Sequence, residues 1–268
     1  MSSNLHLHVL ASGSRGNAAI IEGPKESILI DCGICRKRIL QYSDELGVDV
    51  SKITSVLLTH EHSDHTKGLP VFSKHFQGNM YTTQGSAHAK KLTDSLDFIE
   101  ISHSQELVIS GIKVTCFPCS HDVCDPIGFR FSTDTDAIGY CTDTGYLTDE
   151  AKEALVDTRI LALESNHDET MLRCGDYPRF LKERIASREG HLSNAQTAAY
   201  LPELITDRCE QIVAMHLSQD NNRPSTCVRC LAEALGAKDA NAIGTKAITS
   251  DGKLHITAAA QEAPASFL

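Results

Sequence analysis

Three histidines and an aspartate fall within six residues: His60, His62, Asp64 and His65, in the run Thr59-His60-Glu61-His62-Ser63-Asp64-His65. Imidazole and carboxylate side chains are the common ligands of divalent metals. The cluster directly follows Ile53-Thr54-Ser55-Val56-Leu57-Leu58, a short aliphatic and β-branched run that predicts a buried strand. In a chain leaving a strand, residues two apart point the same way, so His60 and His62 converge on one ion while Asp64 and His65 serve a second. The His-Glu-x-x-His arrangement of helical zinc proteases is absent. A solvated histidine-rich loop is the competing reading, and the position at the end of an apolar strand argues against it.

Elsewhere the chain repeats the pattern of an apolar strand that runs into a polar residue. Ile112–Phe117 leads to His121, Ala137–Cys141 to Asp143, and Ile212–Met215 to His216. Such strands are what an α/β layered domain gives when its site lies at the strand ends. His60, His62, Asp64, His65, His121, Asp143 and His216 therefore gather into one site for two divalent ions. A workable partition gives His60, His62 and His121 to the first and Asp64, His65 and His216 to the second, with Asp143 bridging. Imidazole and carboxylate without thiolate suit zinc, manganese or iron, and the donor set does not choose among them. Two such ions about 3.5–4 Å apart lower the pKa of a shared water and clamp the oxygens of an in-line displacement at phosphorus. Asp64 then belongs to the catalytic set as well as the ligand set.

Ser193-Asn194-Ala195-Gln196 fits a capping box, which puts His191 just outside a helix N-terminus, where free backbone N–H groups favour an anion. His191 is expected to contact the scissile phosphate and protonate the leaving oxygen. Asp31 closes the strand Ser27–Ile30 and is expected to brace the metal loop as a hydrogen-bond acceptor. His167, beyond the strand Ile160–Leu163, is either a structural hydrogen-bonding residue or a substrate contact. The stretch from Arg173 to Arg188 leans basic. A nucleic-acid substrate would find phosphate contacts there, Arg179 and Lys182 among them, and a solvated amphipathic face is the alternative.

The chain has 268 residues, enough for one large domain or two small ones, and nothing in it demands two. Lys and Arg total 25 against 35 Asp and Glu, a formal net charge of −10. That balance opposes a broad electrostatic footprint for nucleic acid but says little about a cleft whose charge is set by bound ions. Met1-Ser2-Ser3-Asn4 starts no basic leader, and no run approaches the ~20 apolar residues of a membrane helix, so a soluble cytoplasmic protein is expected. Ten cysteines include the Cys-x-x-Cys pairs Cys32/Cys35, Cys116/Cys119 and Cys227/Cys230. In a chain of this size they read as ordinary buried or loop thiols rather than a disulfide framework or structural zinc site.

The expected strands are Leu5–Leu10, with His6 and His8 on an exposed face, Ala18–Glu22, Ser27–Ile30, Met80–Thr82, several between Phe98 and Cys141, and those named above. Helices are expected at Ile34–Leu46, Leu69–His75, Ser86–Lys91, Pro178–Ala186, Ala195–Leu201 and Ser225–Leu235, then a hairpin at Asp251-Gly252. The reading is a single domain over residues 1–258 with a frayed, flexible tail over 259–268.

The His-x-His-x-Asp-His loop, the later histidine, the Asp of Thr142-Asp143-Thr144-Gly145 and the late His216 together resemble the metallo-β-lactamase fold. Leu10-Ala11-Ser12-Gly13-Ser14-Arg15-Gly16-Asn17, Glu164-Ser165-Asn166-His167-Asp168, Gly190-His191-Leu192-Ser193-Asn194 and His216-Leu217-Ser218 resemble the YycJ/WalJ branch of those hydrolases. The likeness runs from Leu5 to the last hairpin. It implies a four-layer αββα sandwich, two mixed sheets with helices on the outer faces, and a dinuclear centre between the sheets. It also implies a 5′-to-3′ DNA exonuclease linked to DNA repair, with transfer-RNA 3′-processing enzymes and cyclic phosphodiesterases as near relatives. The phosphodiesterase relatives place a non-ligand histidine where His191 stands. The expected function is a metal-dependent phosphodiesterase acting on DNA. Hydrolysis of a cyclic phosphodiester or thioester on the same centre is the alternative. A non-catalytic or redox metal protein is a third reading, which the complete ligand set disfavours.

Overall fold

The structure, a computed structural model, describes residues 4–89, 96–109 and 111–268. The N-terminal part supplies β1 (His6–Ala11), β2 (Ala18–Glu22), β3 (Ser27–Ile30), β4 (Ile53–Leu57), β5 (Asn79–Thr83) and β6 (Ile99–Ile101). Helices α1 (Arg36–Glu45), α2 (Ser63–Thr66), α3 (Leu69–Phe72) and α4 (Gln84–Ala89) lie between them. There follow β7 (Glu106–Ile109), β8 (Ile112–Pro118), β9 (Ile127–Ser132), β10 (Ala137–Cys141), β11 (Ile160–Glu164), β12 (Gln211–Met215), β13 (Lys238–Asp239), β14 (Lys246–Ile248), β15 (His255–Ala258) and β16 (Ala265–Phe267). This part carries α5 (Asp149–Leu155), α6 (Glu169–Cys174), α7 (Arg179–Ile185), α8 (Asn194–Leu204) and α9 (Pro224–Leu235).

One sheet has the order β16-β1-β2-β3-β4-β5-β6 and the other β13-β14-β15-β12-β11-β10-β9-β8-β7. Both are mixed. β3 to β6 pair in parallel while β1 is antiparallel to β2 and β16. In the second sheet β10, β11, β12 and β15 are parallel and β7 to β10 antiparallel.

Alternation along the strands builds the layers. In β11, Ile160 and Ala162 enter the core between the sheets, whereas Leu161 and Leu163 face outward. In β2, Ile21 faces inward and Ile20 outward. Ile39, Tyr42, Leu69 and Phe72 of α1 and α3 cover the first sheet, and Leu155, Leu201, Val228 and Leu231 of α5, α8 and α9 cover the second. The result is the four-layer αββα sandwich, with strands buried on both faces and polar groups displaced to their ends. The capping box forms: Ser193 accepts from the Gln196 N–H, and Gln196 reaches back to the Ser193 N–H.

Several expectations need correction. The helix expected at Leu69–His75 is α3 followed by a 3-10 turn over Ser73–His75. The one expected at Ser86–Lys91 starts earlier, at Gln84, and its end at Lys90 and Lys91 lies outside the described residues. The C-terminal segment does not fray. Leu7 pairs with Phe267 and Val9 with Ala265, and Phe267 enters the core between the sheets. Three residues carry too little pattern to announce a strand, so β16 depends on its partner. It also covers His8, expected on an exposed face. His8 is buried, with Nδ1 2.7 Å from Ser266 Oγ and Nε2 3.1 Å from Glu22 Oε2. Among the described residues no helix is long and apolar enough to cross a membrane.

Candidate metal centre

Each candidate ligand lies just beyond a strand: His60, His62, Asp64 and His65 after β4, His121 after β8, Asp143 after β10 and His216 after β12. Asp31, Asp143 and His216 have φ of 57°, 57° and 54°. That left-handed turn costs a non-glycine residue about 1 kcal/mol or more and is retained where it aims a side chain. Gly33 permits the ligand loop to pack, because a Cβ there would lie 1.6 Å from the Asp64 carbonyl oxygen. The segments are laced by the Asn17 N–H donating to Asp64 O and the Cys32 N–H to His65 O, both at 2.8 Å.

The structure brings all seven residues together. Ligand atoms of His60, His62 and His121 lie within 4.8 Å of one another, as do those of Asp64, His65 and His216 and those of His60, His65 and Asp143. Asp143 Oδ1 is 3.8 Å from His121 Nε2 and 3.3 Å from His216 Nδ1, which puts it between the triads. In four histidines Nδ1 is engaged from behind. Those of His60, His65, His121 and His216 face Thr59 Oγ1 at 3.0 Å, Asp31 Oδ2 at 2.7 Å, Gly190 O at 3.0 Å and Glu164 Oε1 at 3.1 Å. That leaves Nε2 for the centre, the usual arrangement of metal-ligating imidazoles. His62 presents Nδ1 instead, 3.3 Å from His121 Nε2. Tetrahedral ligands at ~2.0–2.1 Å from an ion are separated by about that much.

His60 Nε2, His216 Nε2 and Asp143 Oδ2 are buried without a hydrogen-bond partner. A buried polar atom without a hydrogen bond costs about 1–3 kcal/mol, and imidazole and carboxylate atoms converging in this way from several strands fit a cation. The residues therefore fit divalent metal binding.

Electrostatics divides the centre. Burial, reinforced by the neighbouring His65 charge, pushes His60 well below the ordinary imidazole range, and burial also lowers His62 and His121. These three are neutral donors. In the other half, burial is overcome. It would raise Asp143 and Asp64, yet the imidazolium charges of His216 and His65 hold Asp143 well below its usual range and Asp64 at about 2. Burial would lower His65 and His216, yet Asp31, Asp143 and Asp64 hold His65 well above its usual value, and Asp143, Asp64 and Glu164 hold His216 at about 10. The converging carboxylates thus favour positive charge in this half of the cluster, which would suit a metal cation.

Glu164 escaped the sequence reading. It is fully buried, with Oε1 2.8 Å from His191 Nδ1 and 3.1 Å from His216 Nδ1, and Oε2 accepts the Thr144 and Leu192 N–H groups at 2.8 and 3.2 Å. Burial would raise its carboxyl, but His191 and His216 hold it at about 2. An acid ending the otherwise apolar Ile160-Leu161-Ala162-Leu163 was the available signal. Asn17 is a second omission, its Nδ2 lying 2.9 Å from His65 Nε2 and 3.3 Å from Asp64 Oδ2.

The remaining candidates separate. His191 lines a cleft of about 260 Å³ above the ligands, together with Ser14, Asn166, Tyr177 and Arg184. Asp31 lies behind His65 and accepts from the Thr59 N–H at 2.8 Å, so it braces the loop. His167 is buried outside the cleft, beside a second cavity of about 430 Å³ that it shares with Lys182, and burial pushes it down to about 4. Arg179 is 91% exposed and paired with Glu183 at 2.7 Å, while Lys182 donates to the Arg173 and Gly175 carbonyls at 2.9 and 2.6 Å. Neither lines the cleft. Leu181, Arg184 and Ile185, three and four residues apart, form the face of α7 that does.

The ten cysteines carry free thiols. Burial pushes Cys32, Cys116 and Cys227 up to about 12, so each Cys-x-x-Cys pair contains one inert core thiol.

Comparison with known proteins gives the family. Residues 26–217 match the family model described as a beta-lactamase superfamily domain. Exodeoxyribonuclease YycJ of Bacillus anthracis is 32% identical over 239 residues, 87% of this chain and 90% of that protein. Exodeoxyribonuclease WalJ of Streptococcus pneumoniae is 33% identical over 220 residues, 80% and 82% of the two chains. The crystal structure of the metallo-beta-lactamase fold protein YhfI from Bacillus subtilis superposes with a TM-score of 0.68 at 16% identity, covering 98% of this chain and all of that one, which shows the shared fold. With its strand-end cluster of histidine and aspartate, the chain belongs to the metallo-β-lactamase superfamily of metal-dependent hydrolases, on the branch that includes YycJ and WalJ.

Proposed function

We propose that the cleft holds two divalent ions and hydrolyses phosphodiester bonds of nucleic acid, as a 5′-to-3′ DNA exonuclease. The observation that carries this reading is the pair of ligand triads flanking Asp143, with His60 Nε2, His216 Nε2 and Asp143 Oδ2 buried without a hydrogen bond at their meeting point. Two relatives named as exodeoxyribonucleases support DNA as the polymer. When bound, zinc, manganese or iron ions in such a donor set lower the pKa of water and neutralise charge at phosphorus.

The chain's own residues do the rest. Glu164 fixes the His191 ring through Nδ1 at 2.8 Å, which leaves Nε2 towards the cleft. His191 there binds a non-bridging phosphate oxygen and gives a proton to the leaving oxygen. Asp31 and Thr59 hold His65 and His60, so that the ligand loop keeps its shape through turnover.

The test is digestion of 5′-phosphorylated, 3′-labelled duplex DNA by enzyme loaded with manganese or zinc, with and without chelator. Metal-dependent release of mononucleotides from the 5′ end is expected. Release from the 3′ end overturns the polarity. Turnover of bis(p-nitrophenyl) phosphate or a thioester with intact DNA points to a small substrate. In a His191→Ala variant that retains its metal, unchanged turnover removes His191 from the mechanism.

A further inference from the structure

The cleft contains a cation that the hydrolytic centre does not use. We propose that Arg184 forms a second anion subsite, which takes the phosphate adjoining the one held over the ligand cluster. This rests on the nucleic-acid reading above. Among the described residues Arg184 is the only Lys or Arg lining the cleft, in a chain whose formal net charge is −10. A polyanion approaching that surface meets one fixed positive group beside the ligands.

Its placement argues for a neighbouring phosphate rather than the scissile one. The Arg184 Nε donates to Asp122 Oδ2, and Asp122 Oδ1 lies 3.5 Å from His121 Nε2 and 4.0 Å from His62 Nε2. The guanidinium is therefore one carboxylate removed from the His60/His62/His121 triad. Asp122 takes Nε and orients the plane. Among the described residues neither Nη makes a hydrogen bond, and the side chain is 46% exposed. A guanidinium with its Nη groups free presents parallel N–H donors that match two oxygens of a phosphate. Arg179 and Lys182 do not compete, since neither lines the cleft.

The phosphate has two possible sources, a 5′-terminal monoester or an internal diester of the strand, and the substrates can separate them. Metal-loaded wild type, Arg184→Gln and Arg184→Lys are compared on bis(p-nitrophenyl) phosphate, which has one phosphate, on thymidine dinucleotide with and without a 5′-phosphate, and on the trinucleotide. Metal content and melting temperature show that each variant is folded. For Arg184→Gln the loss of kcat/KM on substrates with a second phosphate should exceed the loss on bis(p-nitrophenyl) phosphate by about 10- to 100-fold, the worth of a charge-assisted pair. Lysine should restore little, because it lacks the fork. A gap that opens with the 5′-phosphate identifies the terminal monoester, and one that opens only in the trinucleotide identifies the diester. Equal losses on every substrate, or none on any, overturn the subsite. If wild type cleaves no oligonucleotide, the nuclease reading fails on its own. The subsite is then judged by inhibition of bis(p-nitrophenyl) phosphate turnover with a 5′-phosphorylated phosphorothioate dinucleotide: a Ki raised at least about 10-fold in Arg184→Gln supports it, and an unchanged Ki overturns it.

Discussion

Glu164→Gln exchanges a buried carboxylate for an amide of the same shape, and the four contacts of Glu164 determine the outcome. Its two oxygens meet four donors: His191 Nδ1 at 2.8 Å, His216 Nδ1 at 3.1 Å, and the Thr144 and Leu192 N–H groups at 2.8 and 3.2 Å. An amide offers one acceptor oxygen and one NH2 group, so either orientation sets donors against donors. With the oxygen towards the backbone, the NH2 faces both imidazoles, and their protons must move to Nε2. In His216 that blocks the lone pair aimed at the ligand cluster. Loss of such an outer partner weakens metal binding by 10- to 100-fold, about 1.4–2.7 kcal/mol. Loss of the carboxylate also frees the ring of His191, which should lower turnover by about 100-fold or more even at saturating metal. Competition against a fluorescent zinc chelator gives the affinity, metal analysis the metal content, and bis(p-nitrophenyl) phosphate kinetics the turnover. A Glu164→Gln enzyme with metal affinity and kcat within about twofold of wild type would refute the reasoning.

Three further outcomes rest on other parts of the structure. His216 is raised to about 10 in the bare chain and His65 is raised as well, so an ion held by these imidazoles would displace protons. Titration calorimetry in buffers of different ionisation enthalpy should detect proton release, and affinity should rise with pH; zero release or proton uptake contradicts this. His167 titrates at about 4 folded against 6.5 unfolded, so the unfolded chain takes up the proton first as pH falls. Stability should therefore drop by about 2 kcal/mol between pH 7 and pH 5, a loss absent in His167→Gln; parallel urea midpoints for the two metal-free proteins would contradict it. Phe267→Ala removes a ring that is 6% exposed and lies in the core between the sheets, and should destabilise by about 3–5 kcal/mol in denaturant titration. A neutral effect would mean that β16 contributes nothing to the fold.

The sequence by itself determined the candidate ligands, because its signals are local. His60, His62, Asp64 and His65 share one loop, and His121, Asp143 and His216 each follow an apolar strand whose β-branched run marks where the sheet ends. Apolar runs ending in polar residues marked an α/β layered domain, and the four-layer arrangement was an implication of the family resemblance. What required the tertiary structure depended on partners far apart in the chain. Glu164 reads as one more acid until β12 brings His216 and the loop before α8 brings His191 to it. Arg184 could not be told from Arg179 or Lys182, because composition gives the charge of a helix but not which face is turned to a cleft. Ala265–Phe267 has too few residues to register as a strand, and only pairing with β1 at the opposite end of the chain makes it one and buries His8 beneath it.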